Sequence, residues 1–421
     1  KSHTQGVWDW EANASRYDYR RDDKRQNATG NPGNPLPNAL SGGPGTMADG
    51  GGTGWNNLAL KGTWRPNGMQ GEHIVDFGVQ QDSYTLQYLT STIPGNWLED
   101  GAGAPLSKVT GKTRLHSAYV QDAWAFAPLW KSVLGLRAEQ WRAHDGQTVF
   151  LAPAPSQDHG PRRERSLSPK AALSFQAAAD WVLKASTGRA VRMPTVSELY
   201  GATSSANSAF VNDPNLKPER SWTSELSAEK DLGNGLLRFT AFTEDTHDAI
   251  YSQVTVEAVG PVTRVQNVGR IKTSGLELVY SGGDVLMKGL DLNGSLTYAD
   301  SVIKENAGFV AVPGDTIGRR QPNIPKWRAT ALASYRFDER WSATFGMRYS
   351  GAQYRTLNNA DVNGFTYMGV SKYFTTDLRV RYRINRQWSA AVGIDNLNND
   401  QYWNFHPYPQ RSYSAELKFD L

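Results

Sequence analysis

Runs of strand-like residues are separated by connections that switch regularly between long and short, and this rhythm restricts the possible folds more than any other feature of the chain. About 16 such runs can be read, at 7–19, 54–65, 72–84, 113–126, 131–143, 165–177, 180–189, 220–231, 235–251, 263–280, 289–303, 326–337, 340–350, 373–384, 387–397 and 411–420. The odd-numbered connections are long and polar: 20–53, 85–112, 144–164, 190–219, 252–262, 304–325, 351–372 and 398–410. The even-numbered ones are tight, among them Pro66-Asn67-Gly68, Ala127-Pro128-Leu129, Gly233-Asn234-Gly235, Phe337-Asp338-Glu339 and Asn385-Arg386. Glycine, asparagine and proline supply the backbone angles such turns need. One end of the fold therefore carries the long loops and the other the turns. That is the pattern of an all-β, antiparallel transmembrane β-barrel, with loops outside and turns in the periplasm.

Side chains on a strand alternate between its two faces, which gives a second signal. From Asp377 to Ile384 one face holds Leu378, Val380, Tyr382 and Ile384, and the other holds Asp377, Arg379, Arg381 and Arg383. Trp341, Ala343, Phe345, Met347 and Tyr349 oppose Ser342, Thr344, Gly346, Arg348 and Ser350 in the same way. The last strand sets Tyr413, Ala415, Leu417, Phe419 and Leu421 against Ser412, Ser414, Glu416, Lys418 and Asp420. A soluble sandwich or propeller alternates too. Aromatic residues near strand ends, such as Trp8, Trp327, Trp341, Tyr373 and Trp388, favour the membrane barrel, whose two interfaces carry aromatic girdles.

Composition sets outer limits. The 421 residues show no low-complexity linker and read as one unit. A mean hydropathy of -0.56, with no apolar run near 18 residues, excludes a helical membrane protein. The absence of cysteine excludes a disulfide scaffold and a cysteine–zinc site, and suits export through an oxidising periplasm. A net charge of +4 is small for this length and gives nucleic-acid binding little support. No signal peptide opens the chain, so it reads as a mature fragment.

Four stretches carry a family resemblance. They are Gly188-Arg189-Ala190-Val191-Arg192-Met193-Pro194-Thr195 with Glu198-Leu199-Tyr200; Asn215-Leu216-Lys217-Pro218-Glu219-Arg220-Ser221 with Glu225; Asn267-Val268-Gly269-Arg270 with Thr273-Ser274-Gly275-Leu276-Glu277; and Val392 through Tyr402 with Pro409-Gln410-Arg411. In this order they resemble the barrel of TonB-dependent outer-membrane receptors. Residues 1–187 match by strand rhythm and by Tyr119-Val120-Gln121-Asp122 and Gly135-Leu136-Arg137. The resemblance implies a barrel of about 22 strands plugged by an N-terminal domain. This chain would then supply the C-terminal part, strands 7–22, without the plug and the first six strands. Leu421 departs from the family's usual terminal aromatic.

The same motifs read physically as well. Pro194 and Pro218 fix φ and stiffen the two ends of a long loop. Glu219, Glu225 and Glu277 are expected to face the lumen, and Asp395-Asn396-Leu397-Asn398-Asn399 to form a strand-end turn.

Enzymatic readings fare poorly. His3, His73, His116, His144, His159, His247 and His406 show no metal-ligand spacing, and no nucleophile elbow stands out. Gly50-Gly51-Gly52-Thr53-Gly54 lacks the lysine of a phosphate loop and reads as a flexible loop tip. Function then falls to the long loops. Their aromatic and arginine content suits an anionic or aromatic ligand: Trp97, Phe210, Arg319, Arg320, Tyr354, Arg355, Tyr367, Tyr373, Trp403, Phe405 and His406. Each has a plainer role open to it; Trp97 and Phe210 can pack their own loops, Tyr373 can join the girdle, and Arg319 can pair with Asp315.

The expected function is a monomeric outer-membrane receptor, not an enzyme. It would import a scarce metal chelate, foremost a ferric siderophore, across the outer membrane of a Gram-negative bacterium. The resemblance implies energy from the TonB–ExbB–ExbD complex acting through the plug, and outer-membrane lipid as surroundings. Iron arrives chelated, so no cofactor or protein metal site is needed. A passive porin is the alternative, and a surface adhesion barrel a third reading.

Overall fold

The computed structural model describes residues 1–27, 42–150, 156–201, 209–257, 260–307 and 315–421. Sixteen strands of eight or more residues form an up-and-down antiparallel sheet, each paired with the next: β1 (Trp8–Asp18), β2 (Gly54–Trp64), β3 (His73–Ile93), β4 (Pro105–Ala127), β5 (Trp130–Phe150), β6 (Arg162–Ala178), β7 (Trp181–Arg192), β8 (Glu219–Asp231), β9 (Gly235–Glu257), β10 (Gly260–Gly282), β11 (Leu290–Glu305), β12 (Trp327–Arg336), β13 (Trp341–Ser350), β14 (Tyr373–Arg383), β15 (Trp388–Asp395) and β16 (Ser412–Phe419). Among the described residues one short helix, α1 (Val196–Tyr200), lies in the loop after β7. The sheet is open: β1 pairs with β2 and β16 with β15, and neither pairs with the other.

Register puts the apolar set on one face. Leu60, Val79, Val120, Leu136, Leu173, Leu226, Phe239, Leu278 and Val392 are all exposed there, which soluble packing does not tolerate and lipid does. At the turn end this face carries an aromatic row: Trp8 stacks on Trp64 at 5.7 Å, Trp130 on Phe175 at 4.3 Å, and Trp388 meets Phe419 at 4.8 Å. At the loop end, Trp327 meets Tyr298 at 4.9 Å. The other face is polar and cross-linked by ion pairs, including Lys61–Asp76 at 3.0 Å, Lys184–Glu229 at 2.7 Å and Arg379–Glu416 at 2.7 Å. Glu225 and Glu277 lie on it, as the alternation requires.

The turns are held by the expected residues. Gly68 and Gly233 take positive φ, at 72° and 81°. Asp338 Oδ1 accepts from the backbone N–H of Arg340 and Trp341, and Asn385 Oδ1 from those of Gln387 and Trp388. The 395–399 turn works the same way: Asn398 Oδ1 accepts from Thr376 N–H at 2.9 Å, and Asn396 and Asn399 both take positive φ.

Several expectations need correction at the loop end. Connection 85–112 is mostly strand, because β3 runs to Ile93 and β4 starts at Pro105. Connection 252–262 is a hairpin whose ladder reaches Glu257↔Gly260. Connection 20–53 holds a small hairpin, Asp23–Asn27 against Gly45–Asp49. Above the lipid both faces of a hairpin are solvated, so the apolar period fades although the backbone ladder continues. Gly50–Gly54 is a pinned turn and not a flexible tip, since Gly52 N–H donates to Tyr19 O at 2.9 Å and Tyr19 N–H to Thr53 O at 2.8 Å. Tyr373 sits out of the girdle. Its neighbour Phe374 takes the lipid side beside Tyr349, while Tyr373 turns to Tyr402 at 4.7 Å.

Candidate ligand-binding site

Two loops at the end of the sheet zip together through their backbones. Ser371 N–H donates to Trp403 O at 3.0 Å, Met368 N–H to Phe405 O at 2.8 Å, and Phe405 N–H to Gly369 O at 2.8 Å. Trp403–Asn404 then folds back on His406–Pro407, which drives Phe405 to a φ of 65°. A non-glycine residue in that conformation is costly unless its surroundings fix it. Here they do. The Arg355 guanidinium lies 4.3 Å over the Phe405 ring and donates to Met368 O, while Arg355 N–H donates to Asp361 Oδ2 at 2.7 Å. Tyr367, 68% exposed, stands edge-on to Trp403 at 5.2 Å and to His406 at 5.8 Å.

The cluster joins one cation to three aromatic rings and an imidazole. Partial burial pulls the Arg355 pKa below its ordinary value, with Asp361 acting the other way. A guanidinium that has lost some of its water, and is held over a ring, is ready to bind an anion or a second ring. The loop before β12 docks alongside. Arg320 N–H donates to Asn359 Oδ1 at 2.8 Å, Asn359 Nδ2 returns a bond to Arg320 O at 3.0 Å, and Asn323 N–H donates to Tyr354 O at 2.7 Å.

Five of the residues read from the sequence thus meet in one place: Arg355, Tyr367, Trp403, Phe405 and His406. Arg320 and Tyr354 border them through backbone bonds. Arg319 takes the plainer role, with its guanidinium 3.6 Å from Asp315. Trp97 is docked by its backbone on the neighbouring 20–53 connection, its main-chain N–H donating to Gly43 O at 2.8 Å and its main-chain O accepting from Arg25 Nη1 at 3.0 Å. The side chain of Phe210 lies outside the described residues.

A second concavity was missed in the sequence. On the polar face, at its loop end, Tyr17, Trp55 and Tyr84 stand directly opposite one another on β1, β2 and β3, with Tyr17 and Trp55 stacked at 4.5 Å. Beside them is a cavity of about 400 Å³ lined by Tyr19, Tyr84, Tyr88, Lys24, Asp22 and Glu198. The signal was present: along β3 this face runs Asp76, Gln80, Asp82 and then Tyr84, Leu86, Tyr88, changing from charged to aromatic where a loop was expected.

Ser197, Glu198, Gly201 and Asn212, from the loop after β7, wall this cavity. Thr195 caps α1, its Oγ1 accepting from Glu198 N–H while the Glu198 carboxylate accepts from Thr195 N–H. Thr-x-x-Glu is a capping box, the signal that marks a helix inside what was expected to be an irregular connection. Val196, Leu199 and Tyr200 are buried against Val109, Trp141, Leu216 and Ile250. Tyr200 fits only because two strand residues lack side chains; a Cβ on Gly111 would lie 2.7 Å from its ring, and one on Gly146 2.6 Å. His159 stacks on Tyr200 at 4.7 Å and shares a 3.0 Å hydrogen bond with Thr148 Oγ1. Burial lowers the His159 pKa, against the opposing charge of Asp158.

The sequence matches the family model "TonB dependent receptor-like, beta-barrel" over residues 2–397. It is 24% identical over 293 residues to a probable TonB-dependent siderophore receptor, PiuA, of Acinetobacter baumannii, covering 68% of this chain and 37% of that protein. It is 25% identical over 299 residues to the metal-pseudopaline receptor CntO of Pseudomonas aeruginosa, covering 70% of this chain and 37% of that one. Among solved structures, the fold resembles the copper transporter OprC, with a TM-score of 0.69 at 19% identity, over 90% of this chain and 57% of that chain. It also resembles the ferric citrate transporter FecA, with a TM-score of 0.68 at 15% identity, over 90% and 56%. The chain spans about half the length of these solved structures, and less of the curated relatives. With a family model covering nearly the whole chain and sixteen strands in up-and-down order, the chain belongs to the TonB-dependent receptor β-barrel family.

Proposed function

We propose that this chain is the C-terminal barrel portion of an outer-membrane receptor that imports a scarce metal chelate, with a ferric siderophore as the foremost candidate. Arg355 on Phe405, ringed by Tyr367, Trp403 and His406, is the observation that carries this reading. In a chelate the metal's coordination shell is filled by the chelator. Recognition then falls to the chelate's outer surface, which is often anionic and aromatic, and guanidinium and ring faces are the groups that bind such surfaces. The tyrosine-lined cavity would take the ligand further into the lumen. The names of two relatives, a siderophore receptor and a metal-pseudopaline receptor, agree with a chelate as cargo.

In this reading the protein is not an enzyme and works as a monomer. A plug, supplied by sequence outside this chain, would close the lumen, and the TonB–ExbB–ExbD complex would pull on it to release the ligand inward. The test is quenching of tryptophan fluorescence in the full-length protein by ferric catecholate, hydroxamate and citrate chelates. At least one should bind saturably. Arg355→Ala should weaken that binding about tenfold, corresponding to about 1.4 kcal/mol. No saturable binding by any of the three classes, or an unchanged affinity in the variant, would count against the reading.

A further inference from the structure

The lipid-facing surface carries a second binding feature at its loop end. Arg114 on β4, Arg142 on β5 and Arg163 on β6 stand directly opposite one another in the register. Arg165 follows on β6, beside Gln140 of β5, which in turn faces His116 of β4. All four arginines are exposed, and among the described residues none makes an ion pair or a side-chain hydrogen bond. Asp145, further along β5, is taken by Lys112 at 3.1 Å and His144 at 3.2 Å. Like charges set directly across a sheet are destabilising. Three in one row, without a carboxylate, call for an anion from elsewhere.

Height identifies where that anion sits. The stacked pair Trp130 and Phe175 marks the turn-end girdle, and the same β5–β6 register places Arg142 opposite Arg163 twelve residues along from each. At about 3.3 Å per residue and a tilt of roughly 40°, the arginines stand about 30 Å above the girdle along the membrane normal. That is about one hydrocarbon thickness, so they lie at the opposite headgroup layer. Between the two levels the outward face is apolar, with Leu134, Leu136 and Ala138 on β5 and Leu167, Ala171 and Leu173 on β6.

Just below the arginines a groove of about 470 Å³ opens on this same face. Leu58, Leu60, Val79, Ala118 and Ala138 line it, and His116, Gln140 and Arg165 stand at its upper rim. The small alanines make the channel and the aliphatic residues make its walls. Only a ligand with both an acyl chain and an anionic head fills groove and arginine row together.

We propose that β2 to β6 form a specific site for a phosphate-bearing lipid of the outer leaflet, one acyl chain in the groove and its phosphates on Arg114, Arg142, Arg163 and Arg165. Guanidinium groups bind phosphate bidentately, which suits this assignment. The placement in the outer leaflet rests on the outer-membrane reading above. None of its residues belongs to the Arg355 cluster or lines the tyrosine cavity.

The test uses full-length protein in detergent, titrated with bisphosphorylated lipid A and followed by native mass spectrometry, with sodium pyrophosphate as a second arm. Lipid A should bind to the wild type, and the triple change Arg114→Gln, Arg142→Gln, Arg163→Gln should weaken it at least tenfold. The matching triple change to lysine should retain most of the binding. Chelate binding should be unchanged in both, which separates failure here from failure of the receptor reading. Heat-modifiability on a gel reports folding; if the triple glutamine protein does not fold, Arg142→Gln alone serves, with a smaller loss expected. Equal lipid A affinity in wild type and folded glutamine variant would overturn the proposal. So would pyrophosphate binding as tightly as lipid A.

Discussion

Arg355 makes the most specific chemical demand in the loop cluster, because its charge is partly stripped of water and its donors are divided between a carbonyl and a ring face. Replacing Trp403 by alanine removes the ring that Tyr367 leans on and should weaken chelate binding without affecting barrel assembly, as judged by heat-modifiability; loss of the folded band would instead assign Trp403 a structural role. Arg320 illustrates a limit of the sequence reading. It was expected to offer its guanidinium to a ligand, and the contact the structure shows is made by its backbone, with Asn359. Gly111 shows the reverse case, since nothing in the sequence marks it. Its importance comes from Tyr200, nearly ninety residues away in sequence, and Gly111→Ala should destabilise the α1 packing by about 1–3 kcal/mol. Faster amide exchange confined to 196–200 would report that loss; exchange identical to wild type would show that the ring moves aside at no cost.

At the level of elements, strands were legible wherever one face meets lipid, because β14 and β16 there show a strict period of two. The upper parts of β3, β4, β9 and β10 were not, because both of their faces meet water. For the same reason the Tyr84–Leu86–Tyr88 face went unread, and half of the candidate site with it. The loop arginines and aromatics were visible by type, but only tertiary packing decided which of them meet. A pH effect belongs to α1. His159 in the folded chain holds its proton less tightly than its ordinary pKa of 6.5, so the neutral ring stabilises the packing fully above that pH. The contribution is lost as pH falls from 6.5 toward the lower folded value. Exchange at 196–200, corrected for intrinsic rate, should therefore be faster near pH 5 than near pH 7.5, and His159→Phe should flatten the difference. A variant as pH-sensitive as the wild type would place the effect elsewhere.

Across the whole molecule, two faces divide the work, and a substitution tells them apart. Leu226, 64% exposed on the outer face, should not tolerate arginine; Leu226→Arg costs about 2–4 kcal/mol near the bilayer middle. Thr240→Arg, on the opposite face beside Glu277, should fold normally. Equal folding of the two proteins would place lipid on neither face. Energised import of a chelate differs from passive diffusion through a pore in its dependence on TonB. It is tested most directly by uptake of a radiolabelled ferric chelate into cells producing the full-length protein, with and without TonB. Uptake should be saturable, disappear without TonB and fall with Arg355→Ala. Uptake that rises linearly with concentration and is indifferent to TonB would contradict it, and would make the protein a pore.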